Sequence, residues 1–326
     1  MKLPGELYIE PTNRCNSLCE TCVHTFREPE PVRDMSLGEF RSLVDQVPVL
    51  QRVVLHGVGE PLLNKHLADM VDYLKARQDP PYVLFNSNAI LLSDSCQARL
   101  IEAGLDEFRV STDAAHRELY ARIRGVDAFD RVKANVKAFA RRIAKAGCGP
   151  KLSLWFTALQ ENLSDLPDLV HLAHELGVGE VYVQRLVHYG QGLALQDQSV
   201  HRSLRAAEDI QLARAEEIAG EHGLLFRASG ATTPRESLLA GGGDTSPWST
   251  CRRPSTLMYI TVNGNVLPCC FSPFTTSDYQ GLILGNAYQT PLTEIWNGDS
   301  YHRFRAALQT ETPWESCDRC GVLWSL

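Results

Sequence analysis

Apolar residues recur over roughly the first 190 positions in short dense runs, each closed by a polar or glycine-containing end and followed by a stretch of helical periodicity. Six runs read as strands: "LYIEPT", "RVVLHG" from Arg52, "YVLFNS" from Tyr82, "EFRVST" from Glu107, "KLSLWFT" from Lys151 and "EVYVQRL" from Glu180. In the first, Leu7 and Ile9 alternate with Tyr8 and Glu10 before Pro11 stops ladder pairing. The set is rich in Val, Leu, Ile and aromatics and nearly continuous in apolarity, the pattern of strands buried on both faces. Between the runs lie amphipathic segments such as "SLGEFRSLVDQV", with Ser36 and Glu39 as a capping box, and "LSDLPDLVHLAHELG", ending at Gly177. Strict alternation of strand and helix predicts right-handed crossovers and a parallel α/β sheet curled into a partial (β/α)6 TIM-like barrel.

From about residue 190 the regularity changes. "HRSLRAAEDIQLARAEEIAGEHG" is a charged amphipathic helix, and "GATTPRESLLAGGGDTSPWS" is a loop rich in Gly, Ser, Thr and Pro. Beyond it, "LMYITVNGNVLPCC" is a hairpin signal around Asn263 and Gly264, and "PLTEIWNGDSYHRFRAALQ" is helical. The expected organisation is a barrel over 1–225, a linker over 226–250 and a small hairpin-plus-helix domain over 251–326.

Composition adds limits. With 326 residues, 44% of them hydrophobic, the chain can bury a large core. It has no apolar run of about 18 residues for a membrane span, and "MKLPGELYIE" lacks the apolar centre of a signal peptide, so a cytoplasmic protein is expected. A formal charge of -7 offers no basic footprint for nucleic acid. Ten cysteines in a reducing compartment point to metal or redox chemistry, and seven of them fall in short clusters.

The first cluster is C-x3-C-x2-C, formed by Cys15, Cys19 and Cys22 in a loop just past a strand end. It supplies three thiolates where most structural metal sites use four ligands, leaving one metal position open. Spacing alone also allows a zinc site completed by His24 or a distant ligand. At this point the sequence resembles the radical S-adenosylmethionine superfamily, whose cluster motif has this spacing after the first barrel strand. "HGVGEPLLN" resembles that family's G-G-E-P motif, with Gly57, Gly59 and Glu60 kept and Val58 in a glycine position. The resemblance implies that backbone groups beside Glu60 bind the methionyl amino group of S-adenosylmethionine. It also places Asn86, Ser111 and Asp113, at the ends of the third and fourth strands, near its ribose and carboxylate, and turns Arg124 of "RIRG" toward the carboxylate. The residue before the third cysteine, often aromatic in the family, is Thr21, with Phe26 a nearby aromatic substitute.

Near the other end, Cys251, Gly264 and Cys269 form C-x12-G-x4-C, and Cys317 with Cys320 adds C-x2-C. This resembles the SPASM and twitch extensions of radical enzymes, in which a hairpin folds over an auxiliary 4Fe-4S cluster; a four-cysteine zinc knuckle is the alternative. Cys270 adjoins Cys269, and neighbouring side chains on a strand face opposite ways, so Cys269 is the expected ligand. Cys96 and Cys148 are expected to be plain buried thiols.

The resemblance implies two 4Fe-4S clusters, one with an open site and one auxiliary, and S-adenosylmethionine cleaved to a 5'-deoxyadenosyl radical that abstracts substrate hydrogen. The expected reaction is oxidation of a small metabolite such as an aminocyclitol or sugar, with the auxiliary cluster accepting the electron and a flavodoxin- or ferredoxin-type donor upstream. A first strand near residue 7 leaves no room for a peptide-leader-binding wing, which favours the small molecule. The alternatives are a peptide or protein maturase, and a non-catalytic iron-sulfur or zinc-binding protein. Gln184, Arg185 and His188 are candidates for substrate binding or proton removal, and Trp155 is expected in the core.

Overall fold

Seven strands follow one another in parallel: β1 (Glu6–Ile9), β2 (Arg52–Leu55), β3 (Tyr82–Ser87), β4 (Glu107–Ser111), β5 (Lys151–Ala158), β6 (Glu180–Arg185) and β7 (Leu225–Ala228). The computed structural model describes residues 2–201, 203–230, 233–239, 247–275, 279–318 and 320. The first six strands are the runs read from the sequence. The seventh was not expected: the helix Ala206–Glu221 ends, Gly223 turns the chain, and Leu225 pairs opposite Glu180 on β6. Residues 226–228, assigned to the linker on composition, therefore continue the sheet; 240–246 of that linker lie outside the described residues.

The two faces of these strands differ. One face carries Leu7, Ile9, Val53, Leu55, Phe85, Phe108, Leu154 and Val183, all buried and part of one apolar core. Phe85, Phe108 and Phe139 meet edge-on at 5.1 and 5.4 Å, joining β3 and β4 to the helix Phe129–Ala146. The other face carries Tyr8, Arg52, Asn86, Arg109, Trp155 and Gln184 and lines a cavity. The expectation of strands apolar on both faces is thus corrected. Alternate side chains point to opposite faces, and the inward set encloses a polar space instead of a packed core.

Local signals hold. Ser36 Oγ accepts the Glu39 N–H at 3.2 Å and the Glu39 carboxylate accepts the Ser36 N–H at 2.8 Å, the reciprocal pairing that starts the helix Leu37–Val44. Gly177 ends the helix Leu166–Leu176 with φ of 77°.

The C-terminal hairpin, β8 (Leu257–Ile260) and β9 (Asn265–Leu267), turns at Gly264 with φ of 82°, and β10 (Gly285–Asn286) adds to its outer edge. It continues the barrel sheet: β8 pairs parallel with β1, Leu7 opposite Met258, giving the order β10-β9-β8-β1-β2-β3-β4-β5-β6-β7. All four residues of β8 are buried, and Leu257, Met258 and Ile260 each contribute about 1.5–3 kcal/mol relative to exposure. This burial is what draws the hairpin onto the β1 edge.

Glu10 ties the junction. Its Oε1 accepts the Val58 N–H at 2.8 Å and its Oε2 the Val262 N–H at 3.1 Å, while its own N–H donates to Ile260 O at 2.9 Å. Burial pushes its carboxyl up from the ordinary 4.5 to about 7. A value raised in the folded state means stability present below pH 4.5 and lost as pH rises through about 7. Glu10→Gln removes this dependence at a constant cost of about 1–3 kcal/mol for one poorly paired buried N–H. Denaturant midpoints should show wild type losing on the order of 2–3 kcal/mol relative to the variant across that window; a constant difference would contradict the assignment.

Candidate functional site

Cys15, Cys19 and Cys22 lie on the loop between β1 and the short helix Val23–Phe26. The loop is held by neighbouring loops at the same end of the sheet. Glu60 N–H donates to Arg14 O at 2.8 Å, Glu20 N–H to Ile123 O at 2.9 Å, Leu193 N–H to Glu20 O at 2.7 Å, and the Asn88 amide to Asn16 Oδ1 at 2.7 Å. Contact with the segment after β2 is closest at Gly59, where a Cβ would fall 2.2 Å from Thr12 O and 2.6 Å from Arg14 O. At Gly57 it would fall 2.2 Å from Glu10 Oε1. Only residues without side chains fit there.

Glu60 is buried and its carboxylate accepts Ser87 Oγ–H at 2.7 Å, Asn88 N–H at 2.7 Å and Leu62 N–H at 3.1 Å. Its side chain holds the ends of β2 and β3 together, while the sequence reading assigned ligand binding to the backbone groups beside it. Asp113 likewise turns inward: one oxygen accepts Thr157 N–H at 2.8 Å and the other pairs with Arg124 Nη1 at 2.8 Å. Asp113 is not on the cavity wall but orients Arg124, whose charge acts on Cys19. Arg124 Nε is buried with no hydrogen-bond partner among the described residues. A carboxylate brought beside Cys19 would satisfy that orphaned donor.

The three thiols suit a positively charged metal group. Burial, reinforced by the neighbouring thiols, pushes Cys15 up to about 11 and Cys22 up to about 12, and burial also raises Cys19. Thiolates form there only against compensating metal charge. Zinc at Zn–S of about 2.3 Å draws its sulfurs to within about 4 Å of one another. Among the described residues, the one trio of possible ligand atoms within 4.8 Å is His116, Asp165 and Asp168, so neither cysteine set is drawn in that far.

A cavity of about 550 Å³ runs from Thr21 and Cys22 along the inner strand faces to Arg253, Cys270 and Phe271. Asn86, Ser111, Gln184 and Arg185 are among its lining residues, with the Arg185 guanidinium donating to Ser237 O. His188 does not; it is half-buried on the loop after β6, where burial lowers its pKa. Phe26 is also off the wall, its ring beside Gly192. Trp155, expected in the core, faces the cavity, stacked on Tyr182 at 4.0 Å with the Arg109 guanidinium 4.2 Å from its ring centre. Its inward phase on β5 was the available signal. Sequence reasoning also missed His56, which follows β2 directly before Gly57. Its Nδ1 is buried without a partner among the described residues, and burial, with Arg109 beside it, lowers its pKa to about 4.

Beyond the cavity, Cys251, Cys269, Cys317 and Cys320 come together. Burial raises Cys317, and the thiols of Cys269, Cys320 and Cys251 raise it further. Cys269 Sγ lies 3.3 Å from Ser272 Oγ, and Trp248 Nε1–H donates to Thr310 O at 3.0 Å, tying the segment before Cys251 to that before Cys317. Cys270 turns to the cavity beside Tyr8, and burial pushes it up to about 12. Cys96 is only partly buried and Cys148 is exposed, correcting the expectation of two buried thiols.

Residues 9–183 match the Radical SAM superfamily, and residues 251–321 match SPASM, an iron-sulfur cluster-binding domain. PqqA peptide cyclase of Granulibacter bethesdensis is 25% identical over 98% of this chain and 81% of its own. SuiB of Streptococcus suis, bound to S-adenosylmethionine, superposes with TM-score 0.71 at 18% identity over 99% of this chain and 72% of its own. The same protein bound to precursor peptide SuiA gives 0.68 at 19% identity, over 100% and 71%. BtrN in complex with AdoMet and 2-DOIA gives 0.51 at 18% identity, over 99% and 92%. The two matched domains imply 4Fe-4S clusters and S-adenosylmethionine as cofactors.

Gly59→Ala should strip iron and S-adenosylmethionine binding from the N-terminal site and leave the C-terminal thiol site loaded. Gly38→Ala, whose Cβ meets nothing nearer than 4.0 Å, serves as control. Iron analysis and equilibrium dialysis with labelled S-adenosylmethionine check this; full binding by Gly59→Ala would refute the close-approach argument.

Proposed function

Because the chain belongs to the radical S-adenosylmethionine superfamily and carries a SPASM region, we propose that it modifies a peptide side chain by hydrogen abstraction and net two-electron oxidation. The observation that carries this reading is the cavity of about 550 Å³ bounded by Cys22 at one end and Arg253 and Cys270 at the other. A peptide substrate is supported by the similarity to a peptide cyclase along nearly the whole chain and by the fold shared with a precursor-peptide-bound protein. Oxidation of a small metabolite, the reading the sequence favoured, stands second, supported by the weaker likeness to BtrN.

In this reading Cys15, Cys19 and Cys22 hold the open-site cluster, and Cys251, Cys269, Cys317 and Cys320 hold the auxiliary one. When bound, these groups supply an electron that cleaves S-adenosylmethionine to a 5'-deoxyadenosyl radical and an acceptor for the electron left on the substrate. Arg124, aimed by Asp113, grips the carboxylate of S-adenosylmethionine, and the Gly57–Gly59 backbone receives its amino group. Asn86 and Ser111 face its ribose. Trp155, Tyr182 and Gln184 form the wall against which the substrate C–H is positioned, excluding water from the radical.

Loss of one hydrogen atom and one further electron completes the two-electron oxidation and leaves one proton to be removed. Glu107 and Glu180 on the wall are ion-paired with Arg109 and Lys151, and burial raises the Tyr8 and Cys270 protons out of reach. His56 faces the cavity with a buried Nδ1 that has no partner among the described residues, so in this scheme it relays the proton, which burial and the Arg109 charge keep it from retaining. A flavodoxin- or ferredoxin-type protein is the proposed electron donor.

After anaerobic reconstitution, the chain should bind about eight irons, four per cubane, and with dithionite should convert S-adenosylmethionine to 5'-deoxyadenosine. Cys15→Ala/Cys19→Ala/Cys22→Ala should halve the iron and abolish 5'-deoxyadenosine. Incubation with a mixed peptide pool should yield a product lacking two hydrogens by mass spectrometry. Oxidation of aminocyclitols but no peptide would reverse the order of the two readings.

A further inference from the structure

Arg253 stands between the cavity and the four-thiol site. It opens the helical turn Arg253–Thr256, two residues after Cys251, and is only 8% exposed. Its guanidinium lies 4.6 Å from the Phe271 ring centre, and both side chains line the cavity. On its other side, the backbone N–H and the guanidinium of Arg253 both reach the Cys251 thiol, and its charge acts on Cys269, Cys270 and Cys320 as well.

A cubane held by four thiolates carries net negative charge, and reduction adds one more. A cation fixed within hydrogen-bonding reach of a ligand sulfur therefore favours the reduced state over the oxidised one. The preference is strong in a buried, weakly screened setting. An arginine also keeps its charge there, since its guanidinium does not deprotonate in proteins. We propose that Arg253 is a positioning residue for electron transfer: its fixed charge raises the reduction potential of the auxiliary cluster, so that the cluster accepts an electron from a substrate radical on the opposite side of the same guanidinium. This rests on the assignment of Cys251, Cys269, Cys317 and Cys320 as that cluster's ligands. The step is a single electron passing from substrate to cluster, with the accompanying proton leaving to a base on the cavity wall.

The test uses the full chain in the Cys15→Ala/Cys19→Ala/Cys22→Ala background, reconstituted anaerobically, so that one cluster reports. EPR-monitored redox titration compares Arg253 with Arg253→Gln, Arg253→Met and Arg253→Lys. The neutral variants should lower the midpoint by at least a tenfold change in the reduction equilibrium, 59 mV for one electron, whereas Arg253→Lys should recover most of it. An unchanged midpoint at full iron content overturns the proposal and leaves the proposed function standing. Loss of auxiliary iron from both neutral variants, with retention in Arg253→Lys, makes Arg253 a structural tie and also overturns it. Absence of iron from the background chain itself overturns the ligand assignment and this inference together.

Discussion

The close approach of two backbone segments governs the architecture of the site. The cysteine loop after β1 lies against the segment after β2 so tightly that Gly59 has no room for a single methyl group beside Thr12 O and Arg14 O. The Glu60 N–H then bonds Arg14 O, and the Glu60 carboxylate fixes Ser87 and Asn88 at the end of β3. Three strand ends are thereby locked to one another before any ligand arrives. A radical reaction tolerates little error in the position of the atom attacked, so this rigidity is the precondition for the chemistry.

The inner face of the sheet serves the same end differently. It carries Arg52, Arg109 and Lys151, paired with Glu6, Glu107 and Glu180, while Arg185, Arg227 and Arg253 also line the bore. Trp155 and Tyr182 give that bore one flat wall. The two thiol sets bound the bore at its ends: one beside Arg124, the other behind Arg253 and Phe271. In the proposed reaction a substrate held between them would meet a hydrogen acceptor on one side and an electron acceptor on the other.

Much of this was legible in local sequence. Cysteine spacing, the Ser36–Glu39 cap, the Gly177 stop and the Asn263–Gly264 turn each depend on residues within a few positions of one another, and each appears in the structure where the sequence put it. What escaped depends on distant partners. β7 is short and mixed in composition, and only pairing with β6 makes it a strand. The polar inner face was hidden because Trp155, Tyr182 and Val54 are apolar letters in cavity-facing positions. His56 reads as a loop residue until the barrel curvature aims it inward. Asp113 and Glu60 were recognised as part of the site, but their carboxylates are consumed by protein donors, which a linear motif does not display.

The pairing of β8 with β1 has a consequence for biosynthesis. β1 is made some 250 residues before the strand that covers its outer edge. Until then the nascent barrel exposes the N–H and C=O groups of an unprotected edge next to the cysteine loop, a template for misassociation. Long-range closure of this kind is slow. The edge of β1 is thus guarded in the finished fold by a strand that is distant in synthesis, and the interval between the two is the window in which misassociation competes with closure.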